Sequence, residues 1–286
     1  MALAGRQLEG GIRLVRPVGN GSHSVAYLAV TASGQPCTVK LFQPQLLDHA
    51  QRELEVGSRF RHPRLSRVGR LTWLDDYPAL VMSWVPGETL LAHYRRRPAL
   101  RCEPYAYLTT LADVLDGLDH MHQLGMLHRD VKPDNILVQP SGRAILVDYD
   151  LSGPLDEPLH ARVGTPAFQS PEAQAGGELG TASDLYGVGL LLYWGLWGAL
   201  PEPDPDTDIL DLDALAPEAE LSSGSSDVCP EPFFQAEAQT LIRQLLQPRA
   251  QGRPASAAAV RGELLNWREE LPAPAAQPAP PLRLDR

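Results

Sequence analysis

The chain changes texture once, at Pro86-Gly87, and that change limits the folds open to it. Before it, residues 12–15 and 25–30 read as strands flanking a turn that holds Gly19, Asn20 and Gly21. A second turn over 31–36 leads to a third strand at 37–42, and 68–74 with 79–84 form a hairpin around Asp75-Asp76. Apolar runs bounded by Gly, Pro, Asn and Asp are strand-and-turn signals. One helix, 48–61, interrupts them and stops before His62-Pro63. After Pro86-Gly87 the pattern is helical over 90–96, 104–124, 183–197, 232–246 and 256–269. A β-rich beginning and a helical remainder predict an α+β architecture of two lobes, a small β-rich N-lobe with one helix and a larger helical C-lobe. The expected boundaries are 1–82 for the first lobe and 83–270 for hinge and second lobe. Residues 271–286 form a Pro/Ala-rich tail that cannot pack a core, and 201–226, acidic and rich in Pro and Ser, read as a long surface loop.

Composition removes several function classes. The best spanning candidate, 185–200, has 16 uncharged residues between Asp184 and Pro201, short of the roughly 20 a spanning helix needs, so it reads as a buried core helix. Residues 1–10 lack the basic-then-apolar pattern of a secretory signal. Cys37, Cys102 and Cys229 stand far apart with no paired spacing, which argues against a zinc site or a disulfide framework and suits the cytoplasm. A net charge of −10 disfavours nucleic acid and anionic membranes. No Lys or Arg occurs from 163 to 242, where 14 Asp and Glu do, so a basic protein partner is easier to accommodate there than an acidic one. Of 25 basic residues only Lys40 and Lys132 are lysines. A GC-rich genome explains the arginines but not the survival of these two; an ammonium is a compact point charge that a planar guanidinium cannot replace in a tight phosphate site.

The turn Gly19-Asn20-Gly21-Ser22-His23-Ser24 lies between two strands, where a dinucleotide-binding fold would have a strand and a helix. Its glycines let backbone N–H groups approach phosphate oxygens, although an ordinary hairpin turn accounts for it equally well. Lys40 lies on the third strand and Glu53 on the following helix. A buried lysine requires a carboxylate; the alternative is two solvated surface charges. The segment His128-Arg129-Asp130-Val131-Lys132-Pro133-Asp134-Asn135, followed by Ile136-Leu137-Val138 and then Asp148-Tyr149-Asp150, carries the strongest signal. Asp130 can orient a hydroxyl or accept its proton, Lys132 can neutralise a transferring phosphoryl group, and Asn135 and Asp148 offer the hard oxygens Mg²⁺ prefers.

These residues, with Gly164-Thr165-Pro166-Ala167-Phe168-Gln169-Ser170-Pro171-Glu172, Asp184 ahead of Gly187 and Gly189, and Arg253, resemble in order the eukaryotic-like (Hanks-type) Ser/Thr protein kinase catalytic domain, of bacterial type. The resemblance runs from Leu8 to Trp267. It implies ATP with Mg²⁺ or Mn²⁺ as cofactors, transfer of the γ-phosphoryl group to Ser or Thr of a protein substrate, and a signalling role. By it, Gly19, Asn20, Gly21 and Ser22 cover the phosphates, and Lys40, paired with Glu53, binds them. Thr38 roofs the adenine, Val25 and Leu137 sandwich it, Met82 is the gatekeeper, and Ser83, Trp84 and Val85 are the hinge. Asp130, Lys132 and Thr165 belong to the catalytic group, Asn135 and Asp148 to the metal. The resemblance also leaves open a homodimer for trans-autophosphorylation.

Departures from the pattern are expected to matter. Ser24 replaces the third turn glycine, and Thr38 stands for a small alanine, predicting a tighter pocket. Gly57 leaves a hole where a bulky residue joins the spine linking the lobes. Asp150 replaces a glycine, as a conformational restriction or an extra carboxylate near the metal. Between Ser152 and Thr165 there is no Ser, Thr or Tyr, while Asp156 and Glu157 can offer Arg129 the negative charge usually supplied by phosphate, or form a solvated acidic bend. Two other readings remain: a pseudokinase scaffold that binds nucleotide or partner without turnover, and a small-molecule kinase of related fold.

Overall fold

The computed structural model describes residues 3–21, 23–95, 97–157, 165–202, 210 and 235–272. β1 (Arg13–Asn20), β2 (Ser24–Val30), β3 (Pro36–Phe42), β4 (Val68–Leu74) and β5 (Tyr77–Ser83) form one antiparallel sheet in the order β1-β2-β3-β5-β4, with α1 (Leu47–Gly57) between β3 and β4. Successive side chains on a strand point to opposite faces, and this sheet uses both. Tyr27, Ala29, Val39 and Leu41 are buried under Leu8 and Ile12 from the start of the chain. On the other face, Phe42, Leu80 and Met82 pack with Ala50 of α1. Thr38 and Lys40 share the parity of Phe42 and so belong to the α1 face. The helix in turn buries Ala50, Glu53 and Val56, three residues apart, the stripe expected of an amphipathic helix on a sheet. Glu53 occupies an inward position on that stripe.

The second lobe follows with β6 (Glu88–Thr89), α2 (Leu90–Tyr94), α3 (Ala99–Cys102), α4 (Pro104–Gln123), β7 (Met126–Leu127), β8 (Ile136–Val138), β9 (Ala144–Leu146), β10 (Gly153–Pro154), α5 (Pro171–Gln174), α6 (Thr181–Trp197), α7 (Gln235–Leu245) and α8 (Ala257–Glu269). Leu108, Leu111, Leu115 and Leu118 form the apolar stripe of α4, and α6 is buried without a break from Asp184 to Leu196. Each such Leu contributes about 1.5–3 kcal/mol when fully buried. The uncharged run at 185–200 is thus a core helix, as its length implied, and no described helix is long and apolar enough to cross a membrane. Gly87, just past β5, has φ +137°, and a Cβ there would collide with the Val138 carbonyl of β8. Only glycine permits that backbone and that approach, which is why the change of texture falls at Pro86-Gly87.

Several boundaries differ from expectation for local reasons. α1 ends at Gly57 because the chain turns there to bury Phe60. α2 ends at Tyr94 because Arg95 adopts φ +54°. α3 has four residues, too few to show a helical period. The expected loop at 201–226 and tail at 271–286 fall almost wholly outside the described residues. Cys37 is buried and free, but Cys102 is disulfide-bonded, correcting the expectation of unpaired thiols: spacing along a chain does not measure distance in a fold.

Candidate active site

Lys40 is where the lobes meet. β3 directs its side chain toward α1, where Nζ donates to Glu53 Oε2 at 2.7 Å and to Asp148 Oδ1 at 2.6 Å. Asp148 comes from the second lobe, beyond β9, and has φ +70°. Burial opposes the charge on Lys40, but two carboxylates outweigh it and hold the ammonium above its ordinary range. Burial pushes Glu53 up to about 7 against the pull of Lys40, and Glu53 Oε1 is buried with no hydrogen-bond partner among the described residues. Burial alone would raise Asp148 too, yet Lys40 holds it below the usual carboxylate range. One cation serves two acids, and the more deeply buried acid is the less satisfied.

The segment between β7 and β8 presents the remaining groups. Lys132 Nζ lies 2.7 Å from Asp130 Oδ2 and donates to Thr165 Oγ1 at 2.7 Å. Asn135 Nδ2 donates to both the carbonyl and Oδ2 of Asp130, each at 2.9 Å. The Asp130 carboxylate is therefore held by two donors. Arg129 has φ +68°, a conformation costing about 1–3 kcal/mol in a non-glycine residue unless its surroundings fix it. Asp184 of α6 fixes it, accepting from the backbone N–H of His128 at 2.9 Å and of Arg129 at 2.7 Å, with His122 Nε2 at 2.9 Å. Burial would raise Asp184, but His122 holds it low.

A cleft of about 740 Å³ joins these groups. Gly19, Asn20, Gly21, Thr38 and Lys40 line it from the sheet, Met82, Ser83, Trp84 and Val85 from the connection, and Asp130, Lys132, Asn135, Leu137, Asp148 and Thr165 from the second lobe. Ser22 lies outside the described residues, as does Gly164. Val25 does not line the cleft: it packs against the opposite apolar face with Tyr27 and Ala29. Strand alternation instead turns Ala26, paired with Lys40, into the cleft, with Val18 beside the turn. Reading β2 in steps of two from Ser24 would have found Ala26. Thr38 Oγ1 faces the Ser83 carbonyl at a long 3.5 Å. Among the described residues, no hydrogen bond reaches Asn135 Oδ1 or Asp148 Oδ2. Two hard oxygens beside two ammonium groups are of the donor type that can hold Mg²⁺ and phosphate.

The segment after Asp148 resolves three expectations. Tyr149 is fully buried, and its hydroxyl donates to the Ser66 carbonyl at 2.9 Å. The predicted hole at Gly57 is absent: Val68 and Tyr149 close onto it so tightly that a Cβ would collide with Val68. Asp150 is not a left-handed residue; it lines the same cleft, and its backbone N–H donates to Asp148 Oδ1 at 3.3 Å. Its oxygens meet His23 Nδ1 at 2.7 Å and His49 Nδ1 at 3.1 Å. Glu157 is no solvated bend, for it takes both terminal nitrogens of Arg52 on α1 and Arg129 Nη1 at 3.1 Å. Hydrogen bonds from Arg52 hold Glu157 down at about 2. Farther off, Arg253 clasps Glu172 through two contacts of 2.6 and 2.8 Å.

Comparison with known proteins gives the same picture. The chain is 32% identical over 217 residues to the serine/threonine-protein kinase pkn2 of Myxococcus xanthus, covering 69% of this chain and 26% of that protein. It is 28% identical over 274 residues to the serine/threonine-protein kinase PkaA of Streptomyces coelicolor, covering 87% and 48% respectively. The chain thus spans about a quarter to a half of these curated relatives. The crystal structure of the Mycobacterium tuberculosis PknI kinase domain superposes with a TM-score of 0.68 at 24% identity, over 93% of this chain and all of that one, and shows the same fold. The protein kinase domain family model matches residues 12–265, and the chain belongs to that family.

Proposed function

We propose that this chain transfers the γ-phosphoryl group of ATP to Ser or Thr hydroxyls of protein substrates. The observation that carries the reading is the convergence of Lys40, Asp130, Lys132, Asn135 and Asp148 on one cleft, with Thr165 held by Lys132 at 2.7 Å. Lys40, aligned by Glu53, would bind the nucleotide phosphates. Asp130, held by Lys132 and Asn135, would orient the acceptor hydroxyl and take its proton, while Lys132 offsets charge on the transferring group. Asn135 and Asp148 would hold Mg²⁺, whose part is to neutralise phosphate charge. Lys132, two residues after Asp130 and bridging to Thr165, supports Ser/Thr over Tyr as acceptor. The acidic stretch 163–242 supports a substrate with basic character near the acceptor.

We also infer that transfer needs no phosphate in the middle of the activation segment. Glu157 already supplies a carboxylate to Arg129 and Arg52, the role a phosphate would serve. Purified protein incubated with γ-labelled ATP, Mg²⁺ or Mn²⁺ and a generic basic protein tests both readings when the active fraction is mapped by mass spectrometry. Label on Ser and Thr is the expected result for the first reading; for the second, an Asp156→Ala/Glu157→Ala variant should lose transfer, and full activity in that variant would remove it. Label in a small molecule, or nucleotide binding with no turnover, would replace the reading with a small-molecule kinase or a scaffold.

A further inference from the structure

We propose that His23, His49 and Asp150 form a binding site for one divalent transition ion of the Zn²⁺ type, separate from the Asn135–Asp148 oxygens. The three side chains come from three elements: the glycine-rich turn between β1 and β2, the first turn of α1, and the segment following Asp148. Asp150 bridges the histidines, one carboxylate oxygen to each, at 2.7 and 3.1 Å. The two rings stand 4.6 Å apart and tilted by 40°, and the ligand atoms lie within 4.8 Å of one another. Among the described residues, no other group of three His, Cys, Asp or Glu has this spacing.

The ligand chemistry selects the ion. Two imidazoles and one carboxylate make a three-ligand zinc set with a fourth position for solvent, and Zn²⁺ sits about 2.0–2.2 Å from such atoms, which places tetrahedral ligands about 3.4 Å apart. Both His–Asp distances, 2.7 and 3.1 Å, are shorter than that separation, so the ligand atoms move apart by less than about 1 Å to admit the ion. That adjustment is a rotation of the two rings, whose side chains are 36% and 39% exposed. Imidazole ligands disfavour Mg²⁺, which prefers oxygens. Asp150 is 14% exposed, so its charge is held close to the rings. The resemblance implies a glycine at position 150, which could not offer the third ligand. An ion here ties the glycine-rich turn to α1 and to the backbone bearing Asp148, and so opposes opening of the turn over the cleft.

Metal binding is measured without nucleotide or substrate, so it stands apart from the phosphoryl-transfer reading. The full chain, stripped with chelator, is titrated with Zn²⁺ by calorimetry and with Co²⁺ by visible absorption. The expected result is one equivalent bound, with the intense ligand-field bands of low-coordinate Co²⁺, unaffected by millimolar Mg²⁺. His49→Ala and Asp150→Gly, each shown by circular dichroism to be folded, should weaken binding by about 100-fold or more. The Co²⁺ spectrum of the unaltered chain provides an answer independent of the variants. Failure to bind either ion, octahedral bands alone, displacement by Mg²⁺, or unchanged affinity in both variants would each overturn the proposal.

Discussion

Lys40 and Arg253 are both buried cations, and their surroundings satisfy them in opposite ways. Arg253 donates to both oxygens of Glu172 and to the carbonyls of Gln247, Ala182 and Pro248, and lies 4.9 Å from the Tyr186 ring. All five of its N–H groups are used. Hydrogen bonds from Arg253 and Ser183 offset the burial of Glu172 and hold it down at about 2. Lys40 instead divides one ammonium between Glu53 and Asp148, leaves Glu53 Oε1 without a hydrogen-bond partner among the described residues, and lets Glu53 rise to about 7. A saturated pair braces the structure. An unsaturated triad remains able to offer its cation to another anion, and it stands in the cleft where the proposed phosphates would lie.

Breaking the catalytic side of this comparison should have the largest effect. Asp130→Asn should lower phosphoryl transfer by about 10²–10⁴-fold, with a thermal midpoint close to that of the unaltered chain, checked by single-turnover transfer beside a melting curve. Arg253→Ala should do the reverse. It strands the buried Glu172 carboxylate and should destabilise the fold by about 3–5 kcal/mol, read by denaturant unfolding, while nucleotide affinity below the transition is retained. Gly57→Ala should cost about 1–3 kcal/mol through overpacking against Val68 and Tyr149; a stabilised variant would restore the predicted hole.

The two glutamates should also respond to pH with opposite signs. Glu172 binds its proton less readily folded than unfolded, so its stabilisation is present above about 4.5 and lost as pH falls toward about 2. Glu53 binds its proton more readily when folded, so its contribution is greatest below about 4.5 and declines as pH rises to about 7. Unfolding free energies of Glu172→Gln and Glu53→Gln across this range should diverge from the unaltered chain in those two windows. The smallest effect is expected at Glu157. Glu157→Gln should lower transfer about tenfold or less and restore a dependence on added anion, since Arg129 keeps its bond to the Pro154 carbonyl at 2.6 Å.

Much of this was legible in the sequence because the signals were local. The strand and helix texture needed only period and punctuation, and the order from His128 to Asn135 needed only the donor and acceptor capacities of six side chains. The missed features depend on what lies across a space. Val25 and Ala26 differ by which face of β2 each occupies. The space at Gly57 is closed by Val68 and Tyr149, far away in the chain. Asp150 is explained by His23 and His49, which no spacing connects, and Cys102 has a covalent partner that its position in sequence does not announce.

The central claim is that a magnesium–nucleotide is held where Lys40, Asn135 and Asp148 meet. Calorimetric titration of the unaltered chain and Asp148→Asn with a non-hydrolysable ATP analogue, with and without Mg²⁺, tests it most directly. The account predicts binding strengthened by Mg²⁺ in the unaltered chain, with that strengthening lost in the variant. No heat with any adenine nucleotide and divalent ion, or equal Mg²⁺ dependence in both proteins, would contradict it.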